Sequence, residues 1–503
     1  MSYEPDLATI QRIARTTDNN LAPVYRDVPG DLETPVSAFL KVARGEHSFL
    51  LESVTGGEHV ARYSFIGTEP YRVFRSGPFA DPSEGEDPLR EIEAELSRYR
   101  LSHPKDTEGH TSLPRFTGGA VGFLAYDVVR HFEPRVTVPA ADPLGLPEAL
   151  FMFVDTLLVF DHVKQTIKVV SHCRLDGDIE TSYRQACWRI DELAKRLQQS
   201  LPATPYPLAP PSQEQQPVES NVGRERYLEM VERCKEYIVA GDVIQVVPSQ
   251  RLSRKTSAHP FSVYRALRNV NPSPYMYYLQ MGDFNIVGAS PEMLVRVEDG
   301  VVETHPIAGT LPRGRDEDED AAREQQLLAD EKERAEHVML VDLGRNDIGR
   351  VSKPGTVKVR DFMVIERYSH LMHLVSRVEG KLKPEMNAYD ALRACFPAGT
   401  LSGAPKIRAM EIISELESDR RGPYGGAVGY FDFSGNMDTC ITIRTTAMKD
   451  GVAYIQCGGG VVYDSIPESE YQETLTKARA MLTAIDQAEA MEEGVTTVGS
   501  LGY

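Results

Sequence analysis

The chain has 503 residues, enough for two or three domains or one large body with a substantial core. With 41% hydrophobic residues and no apolar run long enough to span a bilayer, the composition excludes a disordered chain and offers no transmembrane helix. A formal charge of −19 disfavours nucleic acid and anionic membrane as general partners, and leaves a small-molecule role for which one local basic pocket would suffice.

The N-terminal stretch MSYEPDLATIQRIART has no apolar signal core, and Cys173, Cys187, Cys234, Cys395, Cys440 and Cys457 show no CxxC spacing. A cytoplasmic protein with reduced thiols and no zinc site is expected. Further on, "LLES" (50–53) reads as a strand end, "FMFVDTLLVFDHV" and "QTIKVVSHC" as β-type runs, and Tyr183 to Gln199 as a helix. Residues 201–220, rich in Pro, Gln and Ser, read as a linker. They divide an N-terminal region, 1–212, from a C-terminal region, 213–503.

After the linker, Tyr227, Met230, Val231, Cys234, Tyr237 and Ile238 recur on one helical face, which Gly241 can end. "NPSP" (271–274) reads as a turn. Strand-like segments then alternate with helices at short, hairpin-like gaps. This pattern predicts an α+β fold with largely antiparallel sheets.

Arg323 to Leu343 read as a helix with Glu333 and Glu336 on one side. A second helix starting near Pro467 puts Glu470 and Glu473 at the same spacing. Taken alone these are ordinary features: acids near a helix N-terminus favour the dipole, and Glu473 with Lys477 is a common i, i+4 pair. Taken together they offer a magnesium site, since Mg²⁺ needs few protein carboxylates and completes its shell with water and an anionic substrate. Spacing does not say whether the helices meet.

Three segments offer an anion pocket: Gly309-Thr310 in "PIAGT", Arg444 in "CITIRT", and Gly458, Gly459 and Gly460 in "CGGG". Glycines allow close backbone approach, and an arginine can grip a carboxylate with two bonds. His373, in a run that could be strand or helix, becomes a proton carrier only if it meets the carboxylates.

The segments "LLES", "NPSPYMYYL", "GASPEML", "PIAGTLPRGR", "EHVMLVDLGRNDIGRV", "ERYSHLMHLVSRVEG", "GTLSGAPKIRAMEII", "YGGAVGYFDFSGNMDTCITIR" and "GGGVVYDSIPESEYQETLTKARAM" occur in that order. Together they resemble the chorismate-utilising enzymes, most closely the anthranilate synthase component I branch. The resemblance implies an α/β/β/α sandwich and a lyase that aminates chorismate at C2 and eliminates pyruvate, the first committed step of tryptophan biosynthesis. It implies that Glu336 and Glu473 bind Mg²⁺, supported by Glu333 and Glu470. Gly309, Thr310, Tyr424, Arg444, Gly458, Gly459, Gly460 and Lys477 would form the chorismate site, and His373 the general acid/base. Leu51, Ser53, Pro274, Tyr275, Met276, Val428 and Tyr430 would form a tryptophan feedback site.

The resemblance also gives meaning to two positions. Related aminodeoxychorismate synthases have a lysine nucleophile where Ala308 stands. Water-adding relatives have a lysine base where Gln245 stands. With neither lysine present, ammonia is expected as the direct nucleophile, supplied by a separate glutamine amidotransferase subunit in a heterotetramer. The nearest alternatives are a 2-amino-2-desoxyisochorismate synthase, which retains pyruvate, an aminodeoxychorismate synthase component I, and a non-catalytic binding protein on the same fold.

Overall fold

In the computed structural model the described residues are 2–53, 62–77, 87–102, 113–202, 216–367 and 371–492, with backbone alone at Thr310 and Leu371. Most of the Pro-rich stretch 201–220 lies outside them. Among the described residues, the strands form an eleven-stranded sheet, a ten-stranded sheet and a two-stranded ribbon. Neighbouring strands pair antiparallel in both large sheets.

The sheets are stacked. Phe49, Phe65, Leu279 and Ile286 from the first pack against Phe123, Leu150, Met152, Val428 and Tyr430 from the second. The outer face of the eleven-stranded sheet is covered by helices that include Ile179–Leu197, Pro260–Val270 and Pro467–Glu492. The outer face of the ten-stranded sheet is covered by Pro88–Leu96, Glu331–Val351 and Ala388–Cys395. This is the expected α/β/β/α sandwich, and it arises because each sheet has two apolar faces to bury.

Both regions of the chain contribute to both sheets. His47–Glu52 pairs with Tyr275–Met281 in one, and Gly119–Leu124 pairs with Ala427–Asp432 in the other. The chain also changes sheets within apparently continuous β sequence. "FMFVDTLLVFDHV" is two strands, Ala149–Val154 and Thr156–Asp161, one in each sheet.

The helix expected over 323–343 is in fact two, Glu317–Ala329 and Glu331–Val351. The break is at Asp330, whose carboxylate accepts from the backbone N–H groups of Lys332 and Glu333 and starts the second helix afresh. His373 lies in a strand, Leu371–Lys381. All six cysteines are free thiols. Among the described residues, no helix is long and apolar enough to cross a membrane.

Candidate active site and a second pocket

One large cavity, of about 770 Å³, opens where the ends of both sheets meet the helices Glu331–Val351 and Pro467–Glu492. That volume suits a small-molecule ligand. Glu333 and Glu336 reach it from the first helix, Glu470 and Glu473 from the second, so the two pairs do meet. Burial raises the Glu333 carboxyl above the usual range, and the charges of Glu336 and, from the other helix, Glu473 add to the rise. Glu470 is raised by burial, with Glu473 adding to it. Such clustering of like charge is relieved by a cation.

The donors fit magnesium. Among the described residues no three His, Cys, Asp or Glu side chains converge as a ready-made metal cluster, but magnesium needs only one or two protein carboxylates. Glu336 accepts from Gln245 Nε2 at 3.3 Å, and Glu473 is paired with Lys477 at 2.7 Å. Both glutamates remain on the cavity wall, where they can share an ion with an anionic ligand.

The opposite side is built from bends. Gly309 sits in a β-bulge of the strand Ile307–Pro312 at φ 64°, and its carbonyl is aimed at His373. His373 Nδ1–H donates to that oxygen at 3.2 Å, which leaves Nε2 as the nitrogen that titrates. Burial holds this imidazole below its ordinary pKa, Arg444 pushes it the same way, and the Gly309 bond opposes them. Arg444, unlike Gly309, is strained by its positive φ of 51°, and its guanidinium donates to the Lys477 carbonyl at 3.0 Å. The side chain of Thr310 is outside the described residues, so its expected ligand role has no geometry to report.

The glycine run explains itself by crowding. A Cβ on Gly458 would lie 2.8 Å from the Tyr424 hydroxyl, and one on Gly460 2.6 Å from Gln245 Nε2. Both line the cavity with Tyr424, Arg444 and Lys477. Gly459 differs from expectation: it is not among the lining residues, and its Cβ position is 2.7 Å from Glu470 Oε2. In an extended run the middle residue faces the other way.

Glu292, in the segment "GASPEML", joins the site although no spacing or charge pattern in the sequence singles it out. It is 9% exposed, lines the cavity and accepts from the Thr400 hydroxyl at 3.2 Å. Burial, with Glu336 adding to it, raises its pKa to about 8, so it carries a proton at neutral pH. The available signal was only an acid one residue beyond the apolar strand Phe284–Ser290, after Pro291.

A second, mostly apolar pocket lies between the sheets. Leu51, Ser53, Pro274, Tyr275, Met276, Val428 and Tyr430 all line it, as the expected feedback residues. Tyr277, Arg115, Arg296 and Asp438 also line it and were not foreseen. The Tyr275 hydroxyl donates to Asp438 at 3.0 Å.

The profile of the chorismate binding enzyme family matches residues 46–483. The chain belongs to that family. Among its relatives, anthranilate synthase component 1 of Acetivibrio thermocellus is 50% identical, covering 97% of this chain and 99% of the relative. The same-named protein of Saccharomyces cerevisiae is 45% identical, covering 98% of each. A crystal structure of anthranilate synthase component I from Streptococcus pneumoniae superposes with a TM-score of 0.73 at 38% identity, covering 91% of this chain and 99% of that one. The menaquinone-specific isochorismate synthase of Escherichia coli shares the fold, with a TM-score of 0.69 at 18% identity, covering 95% of this chain and 98% of that one. The chorismate-binding family expected from the motifs is therefore the one found, and the large cavity lies within the matched span.

Proposed function

We propose that this chain is the chorismate-converting component of an anthranilate synthase. The reading is carried by one position of the cavity wall: Ala308, 9% exposed, presents only a methyl group to the cavity that His373, Glu292 and Arg444 also line, so this position offers no amine nucleophile and the nitrogen is supplied as ammonia. The names and coverage of the relatives support the same reading.

Arg444 and Tyr424 grip a substrate carboxylate, and Lys477 adds positive charge beside them. When bound by Glu336 and Glu473, magnesium supplies charge neutralisation for the ring carboxylate. Ammonia adds at C2 as the ring double bonds shift and the C4 hydroxyl departs as water. Glu292, protonated at neutral pH, donates the proton to that hydroxyl. His373 Nε2, kept neutral by burial, takes the proton released by the added nitrogen. The imidazolium passes that proton to solvent, and the neutral Nε2 then takes the C2 proton as the C2–C3 double bond forms and the ring C3–O bond breaks. The departing enolate takes up a proton at its methylene carbon and leaves as pyruvate. General acid and base steps of this kind contribute about 10²–10⁴-fold each.

Ammonia comes from a glutamine amidotransferase partner, the second component that the name "component 1" presupposes, in a cytoplasmic heterotetramer. The pocket between the sheets takes tryptophan: aromatic walls for the indole, Asp438 for the ammonium group, Arg115 or Arg296 for the carboxylate. Feedback then requires tryptophan to bind an inactive arrangement better than an active one.

The test is anthranilate fluorescence from the purified chain with chorismate, magnesium and ammonium, repeated with tryptophan and with EDTA. Fluorescence that disappears with either addition supports the whole reading. Chorismate consumed without fluorescence points to a product that retains the enolpyruvyl group, and no consumption to a binding protein.

A further inference from the structure

Between the two cavities, three residues stand in one cross-strand row. Tyr277 is opposite Gly288, and Gly288 is opposite Thr445, on adjacent antiparallel strands. A Cβ on Gly288 would lie 2.3 Å from the Tyr277 ring, so the absent side chain is what lets the phenol lie across the middle strand. The Tyr277 hydroxyl then reaches Thr445 Oγ1 at 2.6 Å. Thr445 donates its own hydroxyl hydrogen to the Ile443 carbonyl at 2.7 Å, which makes Tyr277 the donor to Thr445.

These two bonds close over Arg444, which lies between Ile443 and Thr445 at φ 51°. An arginine keeps a left-handed backbone only where its surroundings impose it. The Arg444 carbonyl is held as well, by the Ala289 N–H at 3.0 Å. The same short segment carries the chain from the strand Met437–Ile441 of the ten-stranded sheet to Thr445–Lys449 of the eleven-stranded one. Tyr277 and Cys440 line the pocket between the sheets, while Ile443 and Arg444 line the large cavity. Anything that changes the spacing of the sheets acts on this crossover.

We propose that the Tyr277–Thr445 hydrogen bond positions Arg444 for substrate and couples occupancy of the inter-sheet pocket to substrate binding. Tyr277 and Thr445 are positioning residues, acting through Arg444. A ligand pressed against Tyr277 draws the phenol from Thr445, and Arg444 loses the brace that aims it at a carboxylate. The coupling is mutual, so substrate weakens the pocket ligand equally. The inference rests on the reading of the pocket as a tryptophan site and of the large cavity as the chorismate site. Tyr277 is 1% and Thr445 9% exposed, so water does not replace the bond.

The test uses Tyr277→Phe, which keeps the ring over Gly288, Thr445→Val, which removes the acceptor, and the double variant, all in the full chain. Chorismate KM and kcat are measured with ammonium. Tryptophan affinity is measured by calorimetry with and without chorismate, in the absence of ammonium. Each single variant is expected to raise KM by about tenfold with little change in kcat. In each, the factor by which chorismate weakens tryptophan should fall from the 5–150-fold usual for such coupling toward one. The double variant should match either single, the signature of one shared interaction. Unchanged KM and coupling, or additive effects, would overturn the proposal, as would a lowered Tm with unchanged KM. Should the unaltered chain make anthranilate yet bind no tryptophan, the pocket reading itself fails. Should it bind tryptophan and Tyr277→Phe be inhibited equally, the coupling alone fails.

Discussion

Gln245 and Glu336 meet inside the large cavity, amide Nε2 to carboxylate Oε1 at 3.3 Å, although they come from a two-stranded ribbon and a long helix. The amide fixes one oxygen of a carboxylate proposed to hold magnesium, without adding charge. Gln245→Lys would instead place an ammonium against Glu336 and compete with the cation. The expected outcome is a rise of about tenfold or more in the magnesium needed for half-maximal activity, read by titration of anthranilate formation.

Glu292→Gln separates catalysis from stability. The Glu292 pKa in the folded chain is about 8, above the 4.5 of a free glutamate. Between those values the folded state holds a proton that the unfolded state has lost, so this group makes stability fall as pH rises from about 4.5 to 8. The amide removes that slope. The variant should resist denaturation better than the parent at pH 8 while kcat drops by roughly 10²–10⁴. Urea unfolding at several pH values checks the first, and initial rates the second.

Acid should weaken the fold through buried histidines. Burial lowers His259, His305 and His337 to about 4 from 6.5. Their folded pKa values are depressed, so the stability they confer is present above pH 6.5 and is lost as pH falls toward 4. Thermal unfolding should shift steadily downward across that window. His337→Gln should flatten the shift; an unaltered slope in that variant would assign the acid lability elsewhere.

Glu473→Gln tests the carboxylate cluster from the second helix. Removing this charge takes away a contribution to the raised Glu333 and Glu470 and leaves Lys477 without its 2.7 Å partner. Activity is expected to fall by at least about 10² and to recover only in part at high magnesium, because losing one of the two carboxylates proposed to hold the ion would weaken binding and orientation together. Magnesium binding by calorimetry in the presence of chorismate gives the independent readout.

Local features were legible in the sequence, and distant meetings were not. The helix beginning at Pro467 is carried by a short local signal, and the pocket residues Ser53, Pro274 and Met276 by the resemblance of "LLES" and "NPSPYMYYL" to the family, whereas the bulge at Gly309 is visible only in the strand pairing. No spacing could show that Glu336 and Glu473 face one cavity, because two separate helices deliver them. Glu292 escaped for a related reason: its chemistry is made by burial, which a motif does not display. The helix break at Asp330 was readable as an N-cap but was masked by strong helix formers on both sides, "QQLLA" before it and "EKERAE" after it. Tyr277 looked like one more apolar strand residue, since its function depends on Gly288 in the neighbouring strand.

The interleaving of early and late strands has a consequence for how the chain is made. His47–Glu52 completes its pairing only when Tyr275–Met281 has left the ribosome. At ordinary rates of synthesis that is about ten seconds or more, during which the edge of a strand carrying Phe49, Leu50 and Leu51 stands open. A nascent chain of this design therefore passes through a period of stickiness that its finished form does not show, and its yield in a cell will depend on what shields that edge while it waits.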